Sequence, residues 1–137
     1  MILSSLYDPI RCKKVADTPE ERVRQALLRQ MIDCLSFPKG LIGVEKKIAA
    51  GLRRIDIIVF KKTDEHLTPL LLIECKASAL DEEAAFRQAA GYRAACGRPP
   101  FWCVAHAAGI RTFWCEENVL RSVPFLPPYS QLLRNFL

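Results

Sequence analysis

Two short apolar runs constrain the fold of this chain more than any other feature. Residues 54–60 and residues 70–76 are rich in leucine, isoleucine and valine, and each run is broken by a single carboxylate. Apolar runs of this length predict strands that are covered on both faces. With 137 residues, half of them hydrophobic, the chain has the material for one packed domain. The sequence therefore predicts a sheet that lies between other layers.

Helix signals precede and follow these strands. Thr18 can cap a helix, proline fits the first helical position, and Glu21 completes a capping box. Apolar residues recur behind it at helical spacing, which predicts a helix over residues 19–35. An alanine-rich stretch with acidic residues at its start predicts a second helix over residues 81–96. These helices would cover the sheet.

The remaining segments complete the predicted order α-β-β-β-α-β-β, which is a mixed α/β sheet flanked by helices. Residues 61–68 are polar and predict a connection. We interpret the chain as a single domain with an irregular N-terminal arm, a core and a C-terminal tail that includes one helical turn. The further predicted strands are residues 41–49, 101–105 and 111–114, and the parts of the domain (1–137) are residues 1–17, 18–115 and 116–137.

The charge of the chain is positive and unevenly distributed. The net charge is +5, and the basic excess lies in residues 1–62, while residues 63–137 are nearly balanced. A basic half suits a polyanion such as nucleic acid, although solubility alone explains it equally well. Charge therefore permits a nucleic-acid partner without requiring one.

Several classes of protein are disfavoured by what the sequence lacks. No apolar run approaches the ~18 residues of a membrane span, and the first residues carry no secretory signal pattern. Six cysteines without a CxxC pair fit a reduced setting. Glycine-rich phosphate loops are absent. We therefore expect a soluble, cytoplasmic protein with no membrane partner and no nucleotide cofactor.

The carboxylates inside the two apolar runs are the strongest functional signal. Asp56 and Glu74 occupy strands that otherwise look fully buried, where an unpaired carboxylate is costly. Lys76 is two residues after Glu74, so both side chains project from one face of a strand. If the strands are neighbours, two carboxylates and an ammonium converge, and such oxygen ligands suit Mg²⁺. The alternative is a structural ion-pair network in which Lys76 or Arg54 balances the acids.

A strand aspartate followed by Glu-x-Lys on the next strand resembles the PD-(D/E)XK nuclease superfamily. Ile55 stands where the proline of that motif would lie. Downstream, Gln88 and Tyr92 match the QxxxY signature of RecB-type exonucleases. Residues 7–106, with the sequence TPEERVRQ at residues 18–25, are similar to the N-terminal nuclease domain of type I restriction enzyme R subunits. The resemblance implies a restriction-endonuclease-like α/β fold with an α-β-β-β-α-β core.

The resemblance also implies a role for each residue of the motif. Asp56 and Glu74 would bind Mg²⁺ or Mn²⁺, and the backbone carbonyl of Cys75 would be a further ligand. Lys76 would be the catalytic lysine, which orients or deprotonates the water that attacks phosphorus. These four residues form the candidate site.

Helix residues would support this site. Gln88 and Tyr92 are four apart on one helix face and would brace the lysine, a water or the substrate backbone. Without the motif, Tyr92 could equally pack in the core and Gln88 could be solvated. Glu21 matches a first-helix glutamate that can support the metal site in this superfamily, and its capping-box role explains it equally well.

A second Glu-x-Lys occurs on the first predicted strand, at residues 45–47. We prefer the later copy because it follows the strand of Asp56 and precedes the second helix. Glu45 either faces the site or lies on the surface. A basic set either contacts nucleic-acid phosphates or forms a solvated face, and it consists of Lys46, Lys47, Arg53 and Arg54.

These observations favour a Mg²⁺-dependent nuclease that hydrolyses DNA phosphodiester bonds. R subunits continue into a helicase motor, and this chain does not contain one. That leaves a stand-alone nuclease, a homodimer, or a subunit that associates with a helicase or with another restriction or repair subunit. Two alternatives stay open: a nucleic-acid-binding module that keeps the fold without cutting, and an interaction protein whose charges form a structural cluster.

Overall fold

The computed structural model describes residues 5–47 and 54–134 of the chain. Within these residues the strands are β1 (Ser5–Asp8), β2 (Lys13–Ala16), β3 (Ile42–Lys47), β4 (Arg54–Thr63), β5 (His66–Cys75), β6 (Phe101–His106), β7 (Gly109–Glu116) and β8 (Val119–Val123). The helices are α1 (Pro19–Asp33), α2 (Glu82–Ala95) and α3 (Tyr129–Leu133), and there are short 3₁₀ turns at Lys39–Leu41 and Ala79–Asp81.

Strands β3 to β8 form one sheet in sequence order, and β1 and β2 form a separate hairpin. β5 and β6 are parallel, because α2 carries the chain back between them. Every other neighbouring pair in the sheet is antiparallel. The mixed sheet, its helices and the α-β-β-β-α-β order confirm the predicted fold class.

Helix α1 begins where the sequence predicts. The Thr18 hydroxyl accepts a hydrogen bond from the Glu21 N–H at 3.1 Å, as an N-cap does. The helix ends two residues earlier than predicted. Ser36 has a positive φ of 57°, and the Phe37 N–H turns back to the Met31 carbonyl at 2.9 Å. The chain therefore leaves the helix and runs toward the sheet.

The predicted polar connection at residues 61–68 is wrong. β4 continues to Thr63 and β5 begins at His66, so the two strands form a hairpin around a short turn. Asp64, in the turn, has the positive φ (54°) that short hairpin turns favour. The pattern is polar because most of these residues are exposed, beyond the part of the sheet that helices cover.

The two faces of the sheet bury different side chains. The α1-side core packs large residues of α1 against one face, and it includes Leu27, Leu28, Met31, Ile57, Val59, Leu71, Ile73, Cys75, Phe101 and Cys103. The α2-side core is smaller and consists of Ile55, Ile58, Leu72, Ala89 and Trp102, with partly buried aromatic residues around it. The buried residues that α2 contributes are only alanines, Ala85 and Ala89, within the described chain.

Within the described residues, the N-terminal and C-terminal segments are more regular than predicted. The N-terminal arm is the β1–β2 hairpin, whose turn is closed by Asp8 Oδ1, which accepts the N–H groups of Ile10 and Arg11 at 2.8 Å each. The C-terminal tail contains β8, an exposed edge strand that the sequence pattern does not reveal. A helical turn, predicted over residues 131–137, is present as α3, which begins at Tyr129 and buries Tyr129 and Leu132 in the α1-side core. Residues 135–137 of the prediction lie outside the described residues.

Candidate active site

Asp56 and Glu74 lie side by side where the β4–β5 ladder ends. The register pairs Ile57 with Ile73, so the next step places Asp56 opposite Glu74. The two carboxyl groups are close enough for the charge of Asp56 to raise the pKa of Glu74. The structure therefore brings together the two carboxylates that the sequence singles out, while their role in binding a metal stays a prediction.

Both carboxylate oxygens of Asp56 are held. Oδ2 accepts the backbone N–H of Cys75 at 2.8 Å, and Oδ1 accepts Nη1 of Arg24 at 3.2 Å. The side chain is 14% exposed. Burial raises the pKa of Asp56, although the Cys75 hydrogen bond and the charge of Arg24 act to lower it. The orientation of this carboxylate is therefore fixed from two sides.

At an irregular step of β3 and β4, Asp56 lies opposite Glu74 and also contacts Arg24 of α1. Ile55 lies in the α2-side core and Ile57 in the α1-side core, although residues two apart on a regular strand share a face. The register of β3 places Glu45 opposite Asp56, and Glu45 has a positive φ of 52°. Both strands therefore depart from regular geometry at the same step, and both acids reach Arg24 of α1.

Glu74 has an acceptor that no protein group satisfies. It is 2% exposed, and its Oε1 atom is buried without a hydrogen-bond partner in the described chain. Burial and the neighbouring charge of Asp56 raise the pKa of Glu74 to about 8. Glu74 alternates with Ile73 and Cys75, so it faces the α2 side of the sheet. An unshared oxygen beside a second carboxylate is a position that a divalent cation fits.

Lys76 follows directly after β5. Its backbone N–H donates to the carbonyl of Ala105 at 2.8 Å, which fixes the chain at this point against β6. The charge of Lys76 acts to lower the pKa of both Asp56 and Glu74. Its ammonium makes no ion pair within 4.0 Å in the part of the chain that the structure describes. The lysine is therefore close enough to both carboxylates to act on them electrostatically.

Glu20 of α1 is close enough to Asp56 and Lys76 to interact with them electrostatically, although no sequence pattern marks it. Burial and the charge of Asp56 raise the pKa of Glu20, while Lys76 and Arg24 act to lower it. Glu21 points elsewhere: it accepts hydrogen bonds from Arg24 and Gln25, which outweigh burial and lower its pKa. Successive residues of a helix point in different directions, so Glu20 and Glu21 have different partners. The capping-box pattern does not show which of the two lies nearer to Asp56.

Glu21 and Glu45 belong to a polar network centred on two arginines. Arg24, which is 6% exposed, contacts Glu21, Glu45 and Asp56. Arg11 of the hairpin contacts Glu21 and Glu45 at 3.1 and 3.2 Å. Ion pairs with these acids raise the pKa of Arg24 despite its burial. Glu45 therefore faces the network. The sequence analysis missed both arginines because an isolated arginine carries no local signal.

Gln88 and Tyr92 form a pair on α2. Gln88 Nε2 donates to the Tyr92 hydroxyl at 2.8 Å, and the Tyr92 ring packs against the α2-side core. Among the described residues, no hydrogen bond joins this pair to Asp56, Glu74 or Lys76. Their predicted action on the site stays a prediction.

The basic residues proposed for nucleic-acid contact lie beside the network. Lys46, Lys47 and Arg54 are exposed at adjoining ends of β3 and β4. Arg54 approaches Glu45 at 3.6 Å. Arg53 lies outside the described residues. Exposure agrees with either phosphate contact or a solvated face.

The donor set is small for a metal site. In residues 5–47 and 54–134, no group of three or more His, Cys, Asp and Glu side chains is placed to hold a metal ion. Asp56 and Glu74 are two hard oxygen donors, and Mg²⁺ commonly uses one or two carboxylates with water and substrate oxygens. The unsatisfied Oε1 of Glu74 is the observation that fits such an ion.

The element order and the mixed sheet agree with a restriction-endonuclease-like α/β domain. A family model described as Type I restriction enzyme R protein N terminus matches residues 19–121. The chain belongs to this family. A search of curated proteins and a search of solved structures each found no match. No helix in the described part of the chain is long and apolar enough to cross a membrane.

Proposed function

We propose that this chain is a nuclease that hydrolyses DNA phosphodiester bonds with Mg²⁺ or Mn²⁺, through a site of the PD-(D/E)XK type. The observation that carries the proposal is the pairing of Asp56 with Glu74, whose Oε1 has no partner, beside Lys76. Family membership supports the same class of activity.

Each residue of the site has a distinct task. Asp56 and Glu74 hold the ion, and the carbonyl of Cys75 is a further ligand. Bound there, Mg²⁺ would neutralise the negative charge that develops on the phosphate. Lys76 orients the attacking water through Nζ or, as the neutral amine, accepts its proton. The freedom of its ammonium from ion pairing supports this task.

Residues around the site complete the proposal. Gln88 and Tyr92 brace the substrate backbone or the lysine from α2. Phosphate contacts come from the exposed basic residues, which are Lys46, Lys47, Arg53 and Arg54. Such contacts supply affinity that is independent of sequence and weakens with salt. Family membership also supports DNA as the partner, association with other restriction subunits and a cytoplasmic setting.

A second candidate is a nucleic-acid-binding module that does not cut. It is favoured by the contact between Arg24 and Asp56, because a guanidinium already satisfies one of the proposed ligand atoms. This candidate predicts salt-sensitive DNA binding without cleavage that depends on a divalent ion.

The test is cleavage of linear and circular DNA by the purified chain, with Mn²⁺ or Mg²⁺ and with EDTA. We expect cleavage that requires the ion and that is lost in Lys76→Ala while circular dichroism shows an intact fold. Lys62→Ala is the matched control, because this exposed lysine lies toward the other end of β4.

Cleavage of either DNA form establishes the activity, and the comparison of the two forms separates endonuclease from exonuclease action. Undiminished cleavage by Lys76→Ala would remove the lysine from the mechanism. DNA binding without cleavage under all ion conditions would favour the second candidate.

A further inference from the structure

A continuous path of hydrogen bonds runs from the β1–β2 hairpin to Asp56. It starts at Asp8, which is fully buried. Asp8 Oδ1 accepts two backbone N–H groups of its own turn, and Oδ2 accepts Arg11 Nε at 2.8 Å and Gln25 Nε2 at 2.9 Å. The aspartate therefore closes the hairpin turn and fixes the Arg11 side chain.

Arg11 carries the path out of the hairpin. Its Nη2 donates to Glu21 Oε1 at 3.1 Å, and its Nη1 donates to Glu45 Oε2 at 3.2 Å. One guanidinium thus joins α1 to the irregular step of β3. Since all three of its nitrogens are used, with Nε on Asp8, the hairpin holds both acids at a defined position.

Arg24 completes the path to the proposed ligand. Its Nη2 contacts Glu21 and also donates to Glu45 Oε1 at 3.1 Å, and its Nη1 donates to Asp56 Oδ1. A planar guanidinium can contact several carboxylates at fixed angles, whereas a lysine ammonium is a point charge on a flexible stem. The position of Arg24 therefore depends on the same two acids that Arg11 holds.

We propose that Arg24 is the positioning residue for Asp56, and that the β1–β2 hairpin, through Asp8 and Arg11, holds Arg24 in place. The inference rests on the proposed function for its catalytic consequence. It assigns a task to a segment that precedes the family match at residues 19–121. The hairpin is thus a part of the site, although it lies outside the sheet that carries the proposed ligands.

The number of charged groups along the path supports a positioning role for the two arginines. The path contains four carboxylates, Asp8, Glu21, Glu45 and Asp56, and two guanidinium groups. Without Arg11, Arg24 alone would have to pair with the carboxylates that the two arginines now share. Glu21 and Glu45 would then repel one another and compete for Arg24. We expect Asp56 to lose its fixed orientation as a result.

The Cys75 amide reports the position of Asp56 without any need for activity. Its N–H donates to Asp56 Oδ2, so its proton resonance and its exchange rate respond when that carboxylate moves. The experiment compares ¹⁵N-labelled wild type with Arg24→Gln and Arg11→Gln. We expect the Cys75 amide to shift upfield and to exchange faster in both variants, with the larger change in Arg24→Gln.

Cleavage at saturating Mn²⁺ is the second readout. Displacing a catalytic group by about 1 Å can lower a rate by about 100-fold. We expect a loss of about 10- to 100-fold for Arg24→Gln, a smaller loss for Arg11→Gln, and no restoration by Arg24→Lys. Arg22→Gln is the control, since Arg22 lies on the same helix, pairs with Asp17 and does not touch the network.

Thermal unfolding separates positioning from stability. Arg11 lies at the rim of the network with 17% of its side chain exposed, so Arg11→Gln is the variant expected to stay folded. If folded Arg11→Gln and Arg24→Gln keep both the wild-type amide and the wild-type rate, the inference is wrong. Full activity of Arg24→Lys would also overturn it.

The two proposals can fail separately. If the wild type does not cleave DNA, the proposed function fails and the Cys75 amide alone decides the inference. A displaced amide in both variants then supports the positioning path. An unchanged amide overturns it.

Discussion

The two helices that cover the sheet differ in how they relate to the candidate site. α1 directs a buried arginine, Arg24, to Asp56, and through Glu21 it joins the hairpin network. α2 carries the motif residues Gln88 and Tyr92, which bond to one another and pack on apolar residues. Asp56 therefore receives its electrostatic support from α1, although the residues of the sequence motif lie on α2.

The first prediction tests the importance of the acid that α1 orients. Asp56→Asn keeps the shape of the side chain and removes the charge that Arg24 and a divalent ion both require. We expect cleavage to fall by about 1,000-fold, since metal coordination and proton transfer both depend on the site. The measurement is the initial rate of DNA cleavage at saturating Mn²⁺.

Asp64→Asn is the matched control, because this exposed aspartate lies in the turn at the other end of the β4–β5 hairpin. An equal loss in both variants would show that cleavage does not depend on the network. A normal rate in Asp56→Asn would exclude this residue from the mechanism.

The second prediction concerns how firmly each helix is attached. α1 buries Leu27, Leu28 and Met31, whereas α2 buries alanines. Leu28→Ala should lower the free energy of unfolding by about 2–5 kcal/mol because it leaves a cavity in a fully enclosed site. Ala89→Gly should cost about 1 kcal/mol, mostly through helix propensity.

Denaturant titration of both variants measures this difference. Hydrogen exchange of the wild type gives an independent check, since a helix held by small side chains opens locally at lower free energy. We expect faster exchange in α2 than in α1. Equal protection of the two helices would contradict the comparison.

The third prediction uses the opposite pKa shifts on the two sides. The pKa of Glu74, on the α2 side, is raised to about 8 by burial and by Asp56. Between its ordinary pKa near 4.5 and pH 8, the folded chain binds a proton that the unfolded chain does not. In EDTA, the free energy of unfolding should therefore fall by a few kcal/mol as pH rises through this range.

Glu74→Gln should remove that dependence and stabilise the chain at pH 8.

Asp8, in the network, should act in the opposite direction, because hydrogen bonds from Arg11 and Gln25 outweigh burial and lower its pKa. Its contribution is present above its ordinary pKa near 3.8 and is lost as pH falls below it. Unfolding of the wild type and Glu74→Gln across pH 2–9 distinguishes the two contributions. Parallel curves above pH 4 would show that Glu74 does not titrate as expected.

The parts of the fold that follow from the sequence are those with a strong local pattern. Thr18 predicts the start of α1, and the apolar runs around Asp56 and Glu74 predict the central strands. β8 was missed because an exposed edge strand has no apolar alternation. The strands of the β1–β2 hairpin were not predicted because they are short and mostly exposed, so they lack an apolar alternation.

The site follows from the sequence only where two residues share one strand or one helix face. Glu74 and Lys76 are such a pair, and so are Gln88 and Tyr92. Arg11 reaches Glu45 across 34 residues of sequence, and a contact of that range depends on tertiary packing that no local pattern encodes. The choice between neighbouring glutamates in α1 depends on helical phase relative to the sheet, which is also a tertiary property.

The smallest expected effect belongs to the residue pair on α2. Gln88→Ala removes one hydrogen bond to Tyr92 and leaves the contacts of Asp56 intact. We expect cleavage to fall by about 10-fold, the value of about 1.4 kcal/mol that one hydrogen bond at a site can supply. The measurement is the same cleavage assay, with Arg87→Ala on the exposed face of α2 as control.

A loss as large as that of Asp56→Asn would mean that α2 acts directly on the reacting groups, and the contrast between the two helices would then disappear. A change below twofold would instead confine the role of α2 to packing, because the Gln88–Tyr92 bond would then serve only the fold.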